Sequence, residues 1–141
     1  MKLTVAIVMA AVGVAVCAAN VLATPQQGVT TTQLVKQPMG LIDLYVVRNT
    51  FAPGGTSGWH THPGRSFIEV TQGEITSYDG DDPTCSPRVY TAGEGFVDPG
   101  NGHVHMLWNR TGKPAETIAV QMIAPDAPRR LDRPTPGNCP F

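Results

Sequence analysis

The sequence predicts an all-β domain, and three observations carry that reading. Apolar residues gather in short runs of β-branched and aromatic types. Glycine, proline, asparagine and aspartate separate those runs, with 15 glycines and 13 prolines in 141 residues. No segment beyond residue 23 repeats apolar residues at the 3.6-residue helical period. Short strands at regular spacing fit a sandwich or a barrel.

The chain opens with Met1-Lys2, an uncharged Ala/Val-rich stretch from Leu3 to Ala19, and then Val21-Leu22-Ala23 before Thr24-Pro25. A basic start, an apolar core and a small-x-small exit describe a secretory signal peptide, residues 1–23, cleaved after Ala23 or Ala19. The apolar stretch is slightly short for a spanning helix of about 20 residues, which leaves an uncleaved anchor as the alternative. Lipidation at Cys17 is disfavoured because Val16 is larger than the small residue expected there. Residues 24–141 then form one domain with one core, and the expected destination is secreted or extracytoplasmic.

Strands are expected over residues 41–47, 67–71, 74–78, 103–108 and 117–123, each short and rich in Val, Ile, Thr or aromatic residues. Gln72-Gly73 and Asp79-Gly80 look like tight hairpin turns. Asp79, Asp81 and Asp82 lack a complete calcium-loop spacing and are expected in a solvated turn. Trp59 stands one residue before His60 and Trp108 three after His105, odd spacings that strand alternation turns to the opposite face, so both are expected as packing groups. The tail from Leu131 to Phe141 is proline-rich and nearly free of apolar residues, and is expected to wrap on the surface together with Arg129-Arg130.

Once the leader is removed two cysteines remain, Cys85 in the turn-rich loop and Cys139 in the tail. An oxidising destination makes a disulfide between them the default, fastening two segments that otherwise have little to hold them. Formal net charge is −1, and the only basic cluster is Arg129, Arg130 and Arg133. This argues against nucleic-acid binding, which requires a clustered basic face. After leader cleavage nothing calls for a membrane. A small-molecule substrate or ligand, and a second copy of the chain as a homodimer, are the partner classes left open.

The four histidines carry the chemistry. His60-Thr61-His62 follows Gly54-Gly55-Thr56-Ser57-Gly58-Trp59, and His103-Val104-His105 follows Pro99-Gly100-Asn101-Gly102. In a strand, residues i and i+2 project from one face, so His60 and His62 can converge on one ion. A third imidazole from another strand would close a site suited to iron, zinc, copper or nickel. Without such a partner the pair would be a structural one.

This spacing resembles the cupin family. In the first cupin motif a glycine precedes His-x-His by five residues, and a glutamate and a second glycine follow. Gly54, His60, His62 and Gly73 fall on that pattern, whereas the glutamate slot is occupied by Ser66 or Phe67. Glu69 lies two or three positions late, and only a bulge would bring it inward; in a regular strand Ser66, Ile68 and Val70 share the inner face. In the second motif Gly93, Pro99, His105 and Asn109 match with one residue inserted. The resemblance covers about residues 40–123. It implies a double-stranded β-helix, the cupin jelly-roll barrel, with His60, His62 and His105 as metal ligands and His103 facing elsewhere.

The resemblance also implies a divalent transition metal: iron, zinc, copper, nickel or manganese. A glutamate would cancel one unit of the ion's charge; with serine or phenylalanine in its slot the ligands are all neutral. The ion then stays a stronger Lewis acid with one more position for water or substrate, at a cost in affinity. Two function classes follow: a metal-dependent enzyme, foremost an oxygenase on a small organic molecule, or a metal- or ligand-binding cupin without turnover. The fold hosts both.

Overall fold

The computed structural model describes residues 22–141. The signal peptide expected over residues 1–23 lies outside them, apart from Leu22 and Ala23. Ten strands follow in order: β1 (Gln27–Pro38), β2 (Asp43–Thr56), β3 (His60–Thr61), β4 (Ser66–Gln72), β5 (Glu74–Asp79), β6 (Arg88–Thr91), β7 (Gly95–Asp98), β8 (His105–Trp108), β9 (Ala115–Ile123) and β10 (Leu131–Asp132). Every ladder is antiparallel. Among the described residues there is no helix.

The strands form two five-stranded layers, β1-β2-β9-β4-β7 and β10-β3-β8-β5-β6. They are stitched together where Thr56 at the end of β2 pairs with Trp108 at the end of β8. This is the double-stranded β-helix that the motif spacing implied. Side-chain alternation puts Tyr45, Val47 and Phe51 of β2, Ile68 and Val70 of β4, and Ala115, Ala119 and Ile123 of β9 on the inner face. Ile75 and Leu107 meet them from the second layer. Phe51, Val70 and Ile75 are at most 1% exposed, and each such burial stabilises by about 1.5–3 kcal/mol. A separate cluster of Trp59, Tyr78, Met106 and Cys139 packs outside that interior, so Trp59 is a packing group as its position predicts.

The five expected strands are present, with ends that move by at most two residues except that the first runs on to Thr56, nine residues past its expected end. Two expected turns are corrected. Gly73, at φ +73°, joins β4 to β5, yet these strands do not pair with each other: β4 pairs with β7 and β9, β5 with β6 and β8. The turn is therefore a corner between layers. The turn at Asp79-Gly80 opens a hairpin to β6 through the whole loop up to Pro87, because Ser77 pairs with Arg88. In that loop Asp82 accepts from the Thr84 and Ser86 backbone N–H groups at 2.9 Å each, which folds it as a self-capped turn. Cys85 and Cys139 are bridged, with Cα atoms 5.2 Å apart, inside the 4.4–6.8 Å range such bonds need.

Candidate metal centre

β3 is only two residues long, and its neighbours define the site. His60 pairs with His105 of β8 on one side and with Asp132 of β10 on the other. Residues directly opposite in an antiparallel ladder project from one face, so pairing alone brings the first and second histidine segments together. The ring centroids of His60 and His105 are 4.4 Å apart, and His62 lies 4.9 Å from His60 and 5.5 Å from His105. Each ring offers a nitrogen within 4.8 Å of the other two, and all three residues are buried. Gly58 makes the approach feasible. It holds φ +63°, and a Cβ there would run into the backbone of Thr24.

Hydrogen bonding fixes which nitrogen faces the centre. His60 Nδ1 lies 2.9 Å from Gly58 O, and His62 Nδ1 lies 2.6 Å from Arg129 O. A carbonyl only accepts, so both Nδ1 atoms carry the proton and both Nε2 atoms keep a lone pair. Burial pushes His60 well below its ordinary value, with like charge from His105, Arg130 and His62 adding to the effect. Burial likewise takes His62 down to about 4, against the backbone bond to Arg129, which raises it. Neutral imidazoles with fixed tautomers are what a divalent metal requires. The donor set fits the implied metal.

Behind His105 stands a residue the motif comparison did not single out. Asp98, at the end of β7, is 1% exposed, and its Oδ1 lies 3.0 Å from His103 Nδ1 and 3.4 Å from His105 Nδ1. The Gly100 N–H donates to the same oxygen at 3.2 Å. Burial alone would raise Asp98, but the contacts and charge of His105, then His103 and Gly100, overcome it and hold the group at about 2. Asp98 is also the cross-strand partner of Ser66. The carboxylate missing from the glutamate slot is thus present one strand away, behind a ligand instead of on the ion.

Ser66, Ile68 and Val70 face inward and Phe67 and Glu69 face solvent, so Ser66 occupies the slot and Glu69 does not reach the cavity. Ser66 Oγ is buried and has no hydrogen-bond partner among the described residues. His103 stands outside the three-ring set, behind His105: their ring centroids are 5.7 Å apart, and its Nε2 lies 3.6 Å from Asp79 Oδ1.

The three imidazoles line a cavity of about 640 Å3, a size usual for small-molecule sites. Val47, Phe51, Ile68 and Leu107 supply its apolar wall, and Asn49, Thr117 and Gln121 its polar one. The C-terminal segment is mostly exposed, as expected of a surface wrap, and it also closes one side of the cavity. Arg133 N donates to Trp59 O at 2.8 Å, Arg130 donates to Ser57 O, and Arg129 O accepts from His62 Nδ1–H. Asp98 had a faint signal, standing immediately before Pro99 of the second motif. Gln121 had another, alternating inward with Ala119 and Ile123. Arg129 and Arg130 had none, since nothing local ties the tail to β3.

The chain is similar to known proteins in both sequence pattern and fold. The cupin domain family matches residues 47–121, more than half of the chain. No curated protein matches it at full sequence level. A double-stranded β-helix protein from Klebsiella pneumoniae is 21% identical over 74% of this chain and 83% of its own, with a TM-score of 0.59. A cupin superfamily protein from Desulfitobacterium hafniense is 14% identical over 72% of this chain and 84% of its own, with a TM-score of 0.56. Recombinant oxalate oxidase in complex with glycolate is 25% identical over 74% of this chain but 54% of its own, with a TM-score of 0.57. With the paired motifs, the antiparallel barrel and the matched domain in agreement, the chain belongs to the cupin family.

Proposed function

We propose that this protein is a secreted cupin that holds one divalent transition metal on His60, His62 and His105 and acts with it as an oxygenase on a small organic molecule. The observation that carries the reading is the set of three buried imidazoles whose ligand nitrogens lie within 4.8 Å of one another at the wall of a cavity. When bound, the metal would supply Lewis acidity and, as iron or copper, redox chemistry.

The protein's own part is positional. Gly58 O and Arg129 O hold the Nδ1 protons of His60 and His62 and so keep Nε2 free. Asp98 backs the His105 ring. Val47, Phe51, Ile68 and Leu107 keep water from one side of the cavity, which strengthens electrostatic interactions there. Likeness to oxalate oxidase supports a small organic substrate.

A non-catalytic binding role is the second reading, and one observation favours it. Among the described cavity-lining residues Asp132 is the sole carboxylate, and Arg130 holds it at 2.7 Å; the cavity therefore offers no free general base.

Elemental analysis of untagged protein, followed by nitric oxide titration of the iron-loaded form, tests these readings. An enzyme of the oxygenase class should retain iron or copper and shift its spectrum with nitric oxide, and His60→Ala should lose both responses. Full occupancy by zinc, with no turnover on a broad substrate panel, would favour the binding role. The mass of the exported protein tests secretion, with residues 1–19 or 1–23 expected to be missing.

A further inference from the structure

Besides the histidines, three charged side chains line the cavity among the described residues: Arg129, Arg130 and Asp132. Arg130 and Asp132 satisfy each other. Arg129 is different. Its guanidinium has no carboxylate within ion-pair distance among the described residues, and its neighbours are the Gln121 Oε1 acceptor at 3.4 Å and the Tyr45 ring at 5.5 Å. A guanidinium carries five donors in a planar fork, so most of its hydrogen-bonding capacity is unused among the described residues.

Its place relative to the histidines is set by one amide. Gln121 Oε1 accepts from Arg129, and the same amide places its nitrogen 3.2 Å from His62 Nδ1. The unpaired cation therefore sits one side chain away from the metal centre. The same cavity has an apolar part to its lining: Val47, Phe51, Ile68 and Leu107.

We propose that the cavity selects a small carboxylic acid with an apolar body, its carboxylate read by Arg129. A carboxylate presents one charge on two coplanar oxygens, which a single guanidinium fork matches in bidentate fashion. An apolar body fits the apolar part of the lining. A neutral analogue of the same shape leaves the guanidinium uncompensated. The proposal rests on the cavity being the working site, as argued above, and it adds the class of molecule that enters.

Calorimetric titration of the zinc-loaded and metal-free proteins with benzoate, benzamide, propionate, propionamide and phenyl phosphate tests it. At least one acid should bind tighter than its amide by about tenfold or more, the worth of a charged hydrogen-bonded contact. Arg129→Gln should erase that preference while leaving zinc content unchanged, because His62 is held by the residue 129 backbone carbonyl and not by its side chain. Arg129→Lys should keep part of the preference, and melting curves will show that both variants fold.

Equal binding of acids and amides, no binding of either acid, or preference for phenyl phosphate over benzoate would overturn the assignment. So would an Arg129→Gln protein with the preference intact. A protein that binds no metal yet selects acids through Arg129 would sink the metal reading alone; zinc bound in full with no acid preference would sink this inference alone.

Discussion

His62 owes its tautomer to a carbonyl 67 positions away, on Arg129, and its low pKa to burial; the residue-level predictions follow from contacts and burial of that kind. The folded values of His60 and His62 lie below the ordinary histidine value, so the unfolded chain binds protons more readily than the folded one as pH falls. Their contribution is intact above about pH 6.5 and is lost as pH falls toward the folded value, about 4 for His62. Asp98 adds to the acid loss only further down, between its ordinary 3.8 and about 2. The metal-free protein should therefore be less stable near pH 4 than near pH 7 by about 3 kcal/mol or more. Urea unfolding at the two pH values checks this, and a flat profile would contradict it.

Asp98→Asn keeps the side-chain shape and removes the charge behind His105. Metal affinity should fall by about 10–100-fold, measured by competition with a chromophoric chelator, with the melting curve showing the variant folded. Ser66→Glu places a carboxylate in the family's slot on the inner face and should strengthen manganese and iron binding in the same assay. Glu69→Gln should leave affinity unchanged, because residue 69 faces solvent. Metal lost in Glu69→Gln with no gain from Ser66→Glu would contradict this account of the first motif.

At the scale of elements, β3 is a two-residue strand held between β8 and β10, so the C-terminal segment is a structural part of the site. Cys139 anchors the far end of that segment to Cys85, 54 positions away. In the loop-entropy model such a bridge stabilises by about 4 kcal/mol. Cys139→Ser should lower unfolding stability by an amount of that order and weaken zinc binding as well, since the tail supplies the carbonyl that orients His62. Denaturant unfolding and zinc titration of the variant check the two effects, and undiminished zinc affinity would show the tail to be irrelevant to the site.

Strands β2, β4 and β9 were legible because each alternates buried and exposed residues, and β5 and β8 because they are short β-branched or aromatic runs bounded by turn residues. β1 was not. Gln27–Pro38 is almost entirely exposed and polar, and it exists through backbone pairing to β2 at the edge of the sheet, which leaves no apolar pattern to read. β10 is two exposed residues fixed by a partner 70 positions upstream. Hairpin reading failed at Gly73 because a tight turn looks alike in sequence whether the next strand stays in its layer or leaves it.

On the whole-molecule scale, the histidine set was legible because strand periodicity and a second histidine segment are both local patterns. The groups that tune it were not, because Asp98, Gln121 and Arg129 reach the site through long-range register. The barrel brings separate segments around one cavity: the His60–His62 segment, β8, the inner faces of β2, β4 and β9, and the tail. Their common point is a centre of three imidazoles backed by one buried carboxylate. X-ray absorption at the zinc edge of the zinc-loaded protein tests that centre most directly. One ion per chain, with three imidazole nitrogens at about 2.0–2.1 Å and one imidazole fewer in His105→Ala, is the predicted result; identical spectra for the two proteins, or a shell with no imidazole, would contradict it.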